Sequence, residues 1–452
     1  MIILNNFLRE IKDKILIFDG AKGTMLHTMG LQGGECPELW NVTHSEIVRG
    51  IYNSYKEAGS QVIQTNTLQS NRLKLEEYSL GDRTYELNYE GTRLAREVMG
   101  TDGYVAAAIG PIGKLFQPAG DLTFEDAYKV YKEQVKAVAD GGADAINFET
   151  FIDVADMRAA LIASKEVCDL PVICSLAFEE NGKTLMGTDP YTAVLILKSL
   201  GADMVGTNCS FGPQHLLEIV KVMNDVGGIY LSVKPNAGLP EIIDGKTVFR
   251  DGPEKLVQYA QEFVKNGVRL IGGCCGTTPE FIKELCKELK DVKAVKVTNK
   301  CDQIITSGVR WLNVENYNIL NIGYLDTRKD SVLYDEIKNN NLEYAVEKAM
   351  ELSADGCEAI FINIDSVNTG IVSINKDKLL AKVIDKIQGY VKQPLIIQTK
   401  SQSVLSKALR VYRGKAGVVI SSDCNELEEG MILAASKYGS TFIDQSISGL
   451  SE

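Results

Sequence analysis

What the chain has little of narrows its function first. Of 452 residues only three are histidines, His27, His44 and His215. None stands at a ligand spacing from another, so each is expected at the surface or in packing rather than on a metal. Lys and Arg never gather into a block, and acidic residues exceed basic ones by 60 − 48 = 12, which argues against nucleic acid as a partner. No run approaches the ~20 apolar residues of a membrane span. The opening Met1-Ile-Ile-Leu-Asn-Asn-Phe-Leu-Arg-Glu10 reaches charge too soon for a secretory signal. These absences predict a cytoplasmic protein that acts on a small molecule or another protein, with no nucleic acid and no membrane. Gly110-Pro-Ile-Gly113 lacks the Gly-Lys-Ser/Thr ending of a phosphate loop, which removes that reading too.

What is present begins with sulfur. Ten cysteines in a reducing compartment are expected to be free or metal-bound rather than bridged. Ile271-Gly-Gly-Cys-Cys-Gly-Thr-Thr-Pro279 has the pattern of a strand that delivers two thiols into a glycine-flanked turn. Neighbouring cysteines close a strained ring if they bond to each other, so Cys274 and Cys275 point to metal. Two thiolates make an incomplete zinc site, and the best third ligand is Cys209, in Thr207-Asn-Cys-Ser-Phe-Gly-Pro213. Buried thiols that merely pack are the alternative. Cys36, Cys168, Cys174, Cys286, Cys301, Cys357 and Cys424 stand alone and are expected to be structural.

The first ~290 residues alternate short apolar runs with helical patterns, as α/β domains do. Eight strands are predicted: Ile15–Phe18, Gln61–Thr65, Val105–Ile109, Ala145–Phe148, Val172–Leu176, Met204–Asn208, Tyr230–Lys234 and Leu270–Gly273. Between them lie segments such as Phe124–Gly141, with Thr123 as N-cap and Ala127, Val130, Tyr131, Gln134, Val135 and Val138 on one face. Eight such units predict a (β/α)8 TIM barrel, with a doubly wound open sheet as the alternative. Sites of that barrel gather where strands end, and these ends carry Asp19, Thr65, Asn66, Glu149, Cys209, Asn236, Cys274 and Cys275.

Asp19-Gly-Ala-Lys-Gly-Thr24, Gln64-Thr-Asn-Thr67, Asn147-Phe-Glu-Thr150, Gly206-Thr-Asn-Cys-Ser210, Lys234-Pro-Asn-Ala-Gly238 and Gly272-Gly-Cys-Cys-Gly-Thr277 together resemble the homocysteine S-methyltransferase family. Within it the chain is most similar to the homocysteine-binding module of cobalamin-dependent methionine synthases. The resemblance implies a barrel that binds zinc through Cys209, Cys274 and Cys275. It also implies that the homocysteine ammonium meets Asp19 and Glu149 and that the carboxylate meets backbone N–H groups near Gly20 and Ala21. Thr65 and Asn66 are further substrate-side candidates. Asn236 is the expected fourth zinc ligand before substrate arrives, with water as the alternative.

The chemistry follows from charge. An unperturbed thiol, pKa about 8.5, is scarcely ionised at neutral pH, and zinc removes that proton. Three thiolates on Zn2+ give 2 − 3 = −1, so the bound substrate sulfur stays electron-rich, and no separate protein base is needed. The expected product is methionine. The chain contains no Asp-x-His-x-x-Gly cobalamin motif, so a methylcobalamin donor would arrive on a separate corrinoid protein. Betaine or S-methylmethionine as donor, and a non-catalytic zinc-binding assembly module, are the other readings.

The character changes after the first domain, expected to span residues 1–295. A polar linker, 296–310, leads into a second α/β unit, 311–452, with strands predicted at Ile319–Ile322, Ala359–Ile364, Leu395–Thr399, Val418–Ser421 and Ser440–Ile443. Asn318-Ile-Leu-Asn-Ile-Gly323 and Asp355-Gly-Cys-Glu-Ala-Ile-Phe-Ile-Asn-Ile-Asp365 resemble the first half of a pterin-binding domain. Tyr324-Leu-Asp-Thr-Arg328 and Gln398-Thr-Lys400 depart from its pattern, and about 140 residues are too few for a full barrel of ~250. This half barrel is expected not to bind folate. Its open edges suit self-association or a protein partner.

Overall fold

A computed structural model describes residues 6–243, 246–298, 303–367, 376–420 and 426–444. Two compact units divide near residue 300. Cys301 and Cys424 lie outside the described residues.

The first unit is a parallel eight-stranded barrel. Its strands are Leu16–Ile17, Val62–Gln64, Tyr104–Ile109, Ala145–Phe151, Val172–Leu176, Met204–Asn208, Tyr230–Lys234 and Val268–Ile271. The sheet runs from the first strand through the eighth and back down to the second. A parallel bridge between Phe18 and Val62, with Asp19 N–H donating to Val62 O at 3.1 Å, brings the two ends together. The alternation legible in the sequence thus closes on itself as a TIM barrel rather than an open sheet.

The two-residue period of a strand decides what faces inward. On the fourth strand Ala145 joins the interior core and Phe148 turns outward to Tyr131 of helix Phe124–Asp140; a register shift between Phe148 and Phe151 brings Phe151 to the same ring, with centroids 6.1 and 5.9 Å away. That helix begins where expected: Thr123 caps it by accepting from Asp126 N–H at 3.2 Å. Helix Asn6–Asp13 carries Phe7 and Ile11 into the same interior cluster as Leu16, Phe18, Ala106, Ala145, Ile173, Met204 and Leu270. The bottom of the barrel is therefore apolar and filled. Farther along the strands the inward positions become Gln64, Asn147, Ser175, Ser232 and Lys234, all buried and polar.

Two antiparallel hairpins were not among the expected strands. Pro240–Ile243 pairs with Lys246–Phe249 in the connection after the seventh strand. The sequence signal is the Asp-Gly step between two short β-branched runs. Ile304–Thr306, inside the stretch read as linker, pairs with Trp311–Asn313 at the start of the second unit, and Ile304 and Ile305 are buried.

The second unit holds five parallel strands in sequence order: Ile322–Asp326, Ala359–Asn363, Leu395–Ile397, Gly417–Ile420 and Thr441–Asp444. Its first strand starts three residues later than predicted. Tyr317–Ile319 makes a 3-10 turn that buries Tyr317 and leaves Ile319 82 % exposed, so the apolar run Asn318–Gly323 is only partly strand. Ile305, Phe361, Ile396, Val419 and Ile443 form this unit's core. Among the described residues no helix is long and apolar enough to cross a membrane.

One position links the barrel's packing to the loop that carries Cys209. A Cβ at Gly206 would overlap the carbonyl oxygen of Ser232 on the neighbouring strand. Gly206→Ala should therefore cost about 1–3 kcal/mol of stability, measurable by urea unfolding, whereas an unchanged midpoint would mean that the strands yield freely there.

Candidate metal and substrate site

Three loops at the strand ends are stitched by backbone hydrogen bonds. Cys209 N–H donates to Lys234 O at 3.1 Å, Cys274 N–H to Pro235 O at 2.8 Å, Ala237 N–H to Cys275 O at 2.9 Å and Asn236 N–H to Phe211 O at 3.1 Å. The turn after the sixth strand is tight: Cys209 and Ser210 both take left-handed φ, 62° and 59°. Non-glycine residues reach that region at a cost, and such strain gathers where function requires a particular side-chain direction. Just past the eighth strand close approach demands glycine, since a Cβ at Gly272 would overlap Phe18 and one at Gly273 would overlap Thr277.

These loops bring together the three cysteines named from the sequence. Their sulfurs lie within 4.8 Å of one another, with Cys209 Sγ and Cys275 Sγ 3.7 Å apart. A tetrahedral ion with Zn–S bonds of about 2.3 Å would hold two sulfurs about 3.8 Å apart, so the spacing fits. Protons are shared unequally among the three. Thiol donation from Cys274 and Cys275 holds Cys209 down to about 3. The same contact, seen from the donor side, pushes Cys274 up to about 12 and Cys275 up as well. Only a cation among them lets all three ionise. Asn236 is adjacent: it hydrogen-bonds Cys209, while its Oδ1 is buried with no hydrogen-bond partner. An orphaned buried oxygen beside three thiols matches the fourth ligand of a zinc ion.

Below the thiols the interior is a network of charges. Asp19 is fully buried, accepts from Gln64 N–H at 3.0 Å and from Gln64 Nε2 at 2.8 Å, and pairs with Lys22. Desolvation pushes the Asp19 carboxyl up and the Lys22 ammonium down, while their mutual attraction opposes both shifts. Glu149 pairs with Lys234, whose ammonium also donates to Gln64 Oε1 and lies 4.8 Å from the Phe18 ring centroid. Asn147 Nδ2 donates to the same Gln64 oxygen at 2.8 Å. The two carboxylates expected to meet a substrate ammonium are therefore each already paired with a lysine.

The other candidates fall differently. Ala21 N–H donates to Thr277 O at 3.2 Å, so that donor is already engaged. At Gly20 a Cβ would come 2.8 Å from Thr277 Oγ1 and 2.9 Å from the Tyr55 hydroxyl, which ties the residue to close packing. Thr65 Oγ1 accepts from Ala108 N–H at 2.9 Å. Asn66 Nδ2 donates to Pro37 O at 2.9 Å and Asn41 Oδ1 at 3.0 Å. Both residues brace the second strand's loop. His27, His44 and His215 are engaged elsewhere: His27 with Leu31 O at 2.8 Å, His44 stacked on Trp40 at 4.4 Å, His215 against Phe211 at 4.3 Å.

Lys22, Gln64, Asn147, Lys234 and Asn208 were not among the named site residues, although Lys22, Gln64 and Asn208 each flank one directly, and Asn147 and Lys234 lie two residues from Glu149 and Asn236. Asn208 is the most informative. It donates to Thr150 Oγ1 at 2.8 Å and to Cys274 Sγ at 3.7 Å, and its Oδ1 accepts from Thr150 N–H at 2.8 Å. Thr150 itself sits at φ 65°. One amide thus couples the loop beyond Glu149 to a sulfur of the cluster. Groups that orient a metal ligand typically account for 10- to 100-fold in affinity. Asn208→Ala should weaken zinc retention by about that factor in a chelator competition; unchanged retention would reduce Asn208 to packing.

A family model described as homocysteine S-methyltransferase matches residues 16–289. Methionine synthase of Mycobacterium tuberculosis (strain ATCC 25618 / H37Rv) is 32% identical over 308 residues, which cover 64% of this chain and 26% of that protein. Methionine synthase of Mycobacterium leprae (strain TN) is 31% identical over 300 residues, 62% of this chain and 25% of that protein. The chain thus spans about a quarter of the length of these curated relatives. Among solved structures, the metallated form of the homocysteine methyltransferase MmuM from Escherichia coli superposes with a TM-score of 0.53 at 23% identity, covering 62% of this chain and 98% of that one, a likeness of fold.

Proposed function

Because the chain belongs to the homocysteine S-methyltransferase family, we propose that it methylates the thiol of homocysteine to give methionine, with zinc held by Cys209, Cys274, Cys275 and, before substrate binds, Asn236. The observation that carries this reading is the convergence of three thiols from two distant strand ends on one point, beside a buried unpartnered amide oxygen. When bound, zinc supplies the positive charge that lets the substrate thiol lose its proton near neutral pH.

The remaining work falls to the chain. Asn236 would be the neutral, exchangeable member of that ligand set, and a thiolate in its place would take the formal charge of the site from −1 to −2. Asp19 and Glu149 supply the negative charge for the substrate ammonium, within a barrel whose bottom is closed by Phe7 and Ile11. In the transfer, a sulfur lone pair forms the new S–C bond, and the bond from donor to methyl breaks with its electrons leaving on the donor. The reading takes a methylated corrinoid on a separate protein as donor, on the likeness of the Asp19–Thr24, Gly206–Ser210 and Gly272–Thr277 motifs to the cobalamin-linked branch of the family. Betaine and S-methylmethionine are the competing donors.

The test is methionine formation by the purified protein, supplied in turn with a methylated corrinoid protein, methylcobalamin, betaine and S-methylmethionine. Turnover is expected with a corrinoid donor. No methionine with any donor would leave a zinc-binding module without catalysis. Cys274→Ala should lose both zinc and turnover while keeping native far-ultraviolet circular dichroism, because the barrel core lies away from the metal loops. Full zinc content and turnover in that variant would sink the assignment.

A further inference from the structure

The strand ends hold more positive charge than an ammonium site needs. Asp19, Lys22, Glu149 and Lys234 form a quartet in which Lys22 pairs with Asp19, Lys234 pairs with Glu149, and Lys22 also lies within electrostatic reach of Glu149 and Lys234. The formal sum is zero. Two carboxylates alone would suit a simple amine, whereas a neutral quartet suits a zwitterion, which adds one charge of each sign and leaves no buried charge unpaired.

The two lysines are not equivalent. The Lys234 side chain is 1% exposed and its ammonium is held by Glu149, by Gln64 and over the Phe18 ring. The Lys22 side chain is 11% exposed, its ammonium has Asp19 Oδ2 as its hydrogen-bond acceptor among the described residues, and the Tyr55 ring centroid lies 5.7 Å away. An ammonium carries three donors, so Lys22 has two to offer an incoming anion. Asp19 accepts three hydrogen bonds in all, two from Gln64 and one from Lys22, and retains one of its roughly four acceptor positions. The competing donor, the N–H of Ala21, is bonded to Thr277 O.

We propose that Lys22 binds the α-carboxylate of the amino-acid substrate, and so selects an α-amino acid thiol over a plain aminothiol. Asp19 holds the lysine in place, and Glu149 together with the free position on Asp19 takes the ammonium. The assignment rests on the reading of homocysteine as substrate.

The experiment compares two ligands by calorimetry on the zinc-loaded full chain: homocysteine, and 3-aminopropane-1-thiol, which is homocysteine without its carboxylate. In Lys22→Met, homocysteine should bind roughly 10- to 100-fold more weakly, as expected for a lost charge-assisted hydrogen bond. The aminothiol should bind as well as to the native chain or better, because lysine no longer competes for Asp19. Lys22→Arg, which keeps the charge, should restore most of the homocysteine affinity. An equal loss for both ligands, or an undiminished affinity for homocysteine, would overturn the assignment and make Lys22 a structural counter-ion. A native chain that binds neither ligand would instead remove the homocysteine reading, and this assignment with it.

Discussion

Repulsion among three sulfurs is the constraint around which the barrel mouth is built. Sulfurs within 4.8 Å of one another cannot all be thiolates unless a cation sits among them, and the hydrogen bonds they share lower the Cys209 thiol and raise that of Cys274. Holding them so close takes a strained turn at Cys209 and Ser210, glycines at 272 and 273 that admit no side chain, and backbone bonds that lock the loops together. A packing role for the thiols would need none of these devices. The cost is borne by a scaffold whose core, from Phe7 to Leu270, lies at the opposite end of the strands.

A second constraint is the change of interior character along each strand. The same inward face of the fourth strand carries Ala145 in the apolar core and Asn147 in the polar network, with Glu149 beyond. Charges at that depth persist because each has a partner of opposite sign. The interior is thereby preorganised: its carboxylates and ammoniums are already aligned by one another.

Much of this was legible in residues. Strands rich in Val, Ile and Ala announced the barrel, and the Cys274-Cys275 pair pointed to the strand end where three thiols meet, because those signals are local. Partnerships across the barrel were not. Lys22 and Lys234 stand beside motif residues, but no spacing tells that one faces Asp19 and the other Glu149, since those contacts span 3 and 85 positions. Asn208 precedes Cys209, yet its side chain serves Cys274, 66 residues away. In the second unit the apolar run at Asn318–Gly323 misled by three residues because Tyr317, a buried anchor, opens a 3-10 turn there rather than a strand.

The most direct measurement of the central claim is X-ray absorption at the zinc edge on the purified, zinc-loaded chain, before and after homocysteine is added. Three sulfurs at about 2.3 Å and one oxygen or nitrogen are predicted before, and four sulfurs after. Fewer than three sulfurs in the free protein, or no gain of sulfur with homocysteine, would contradict it.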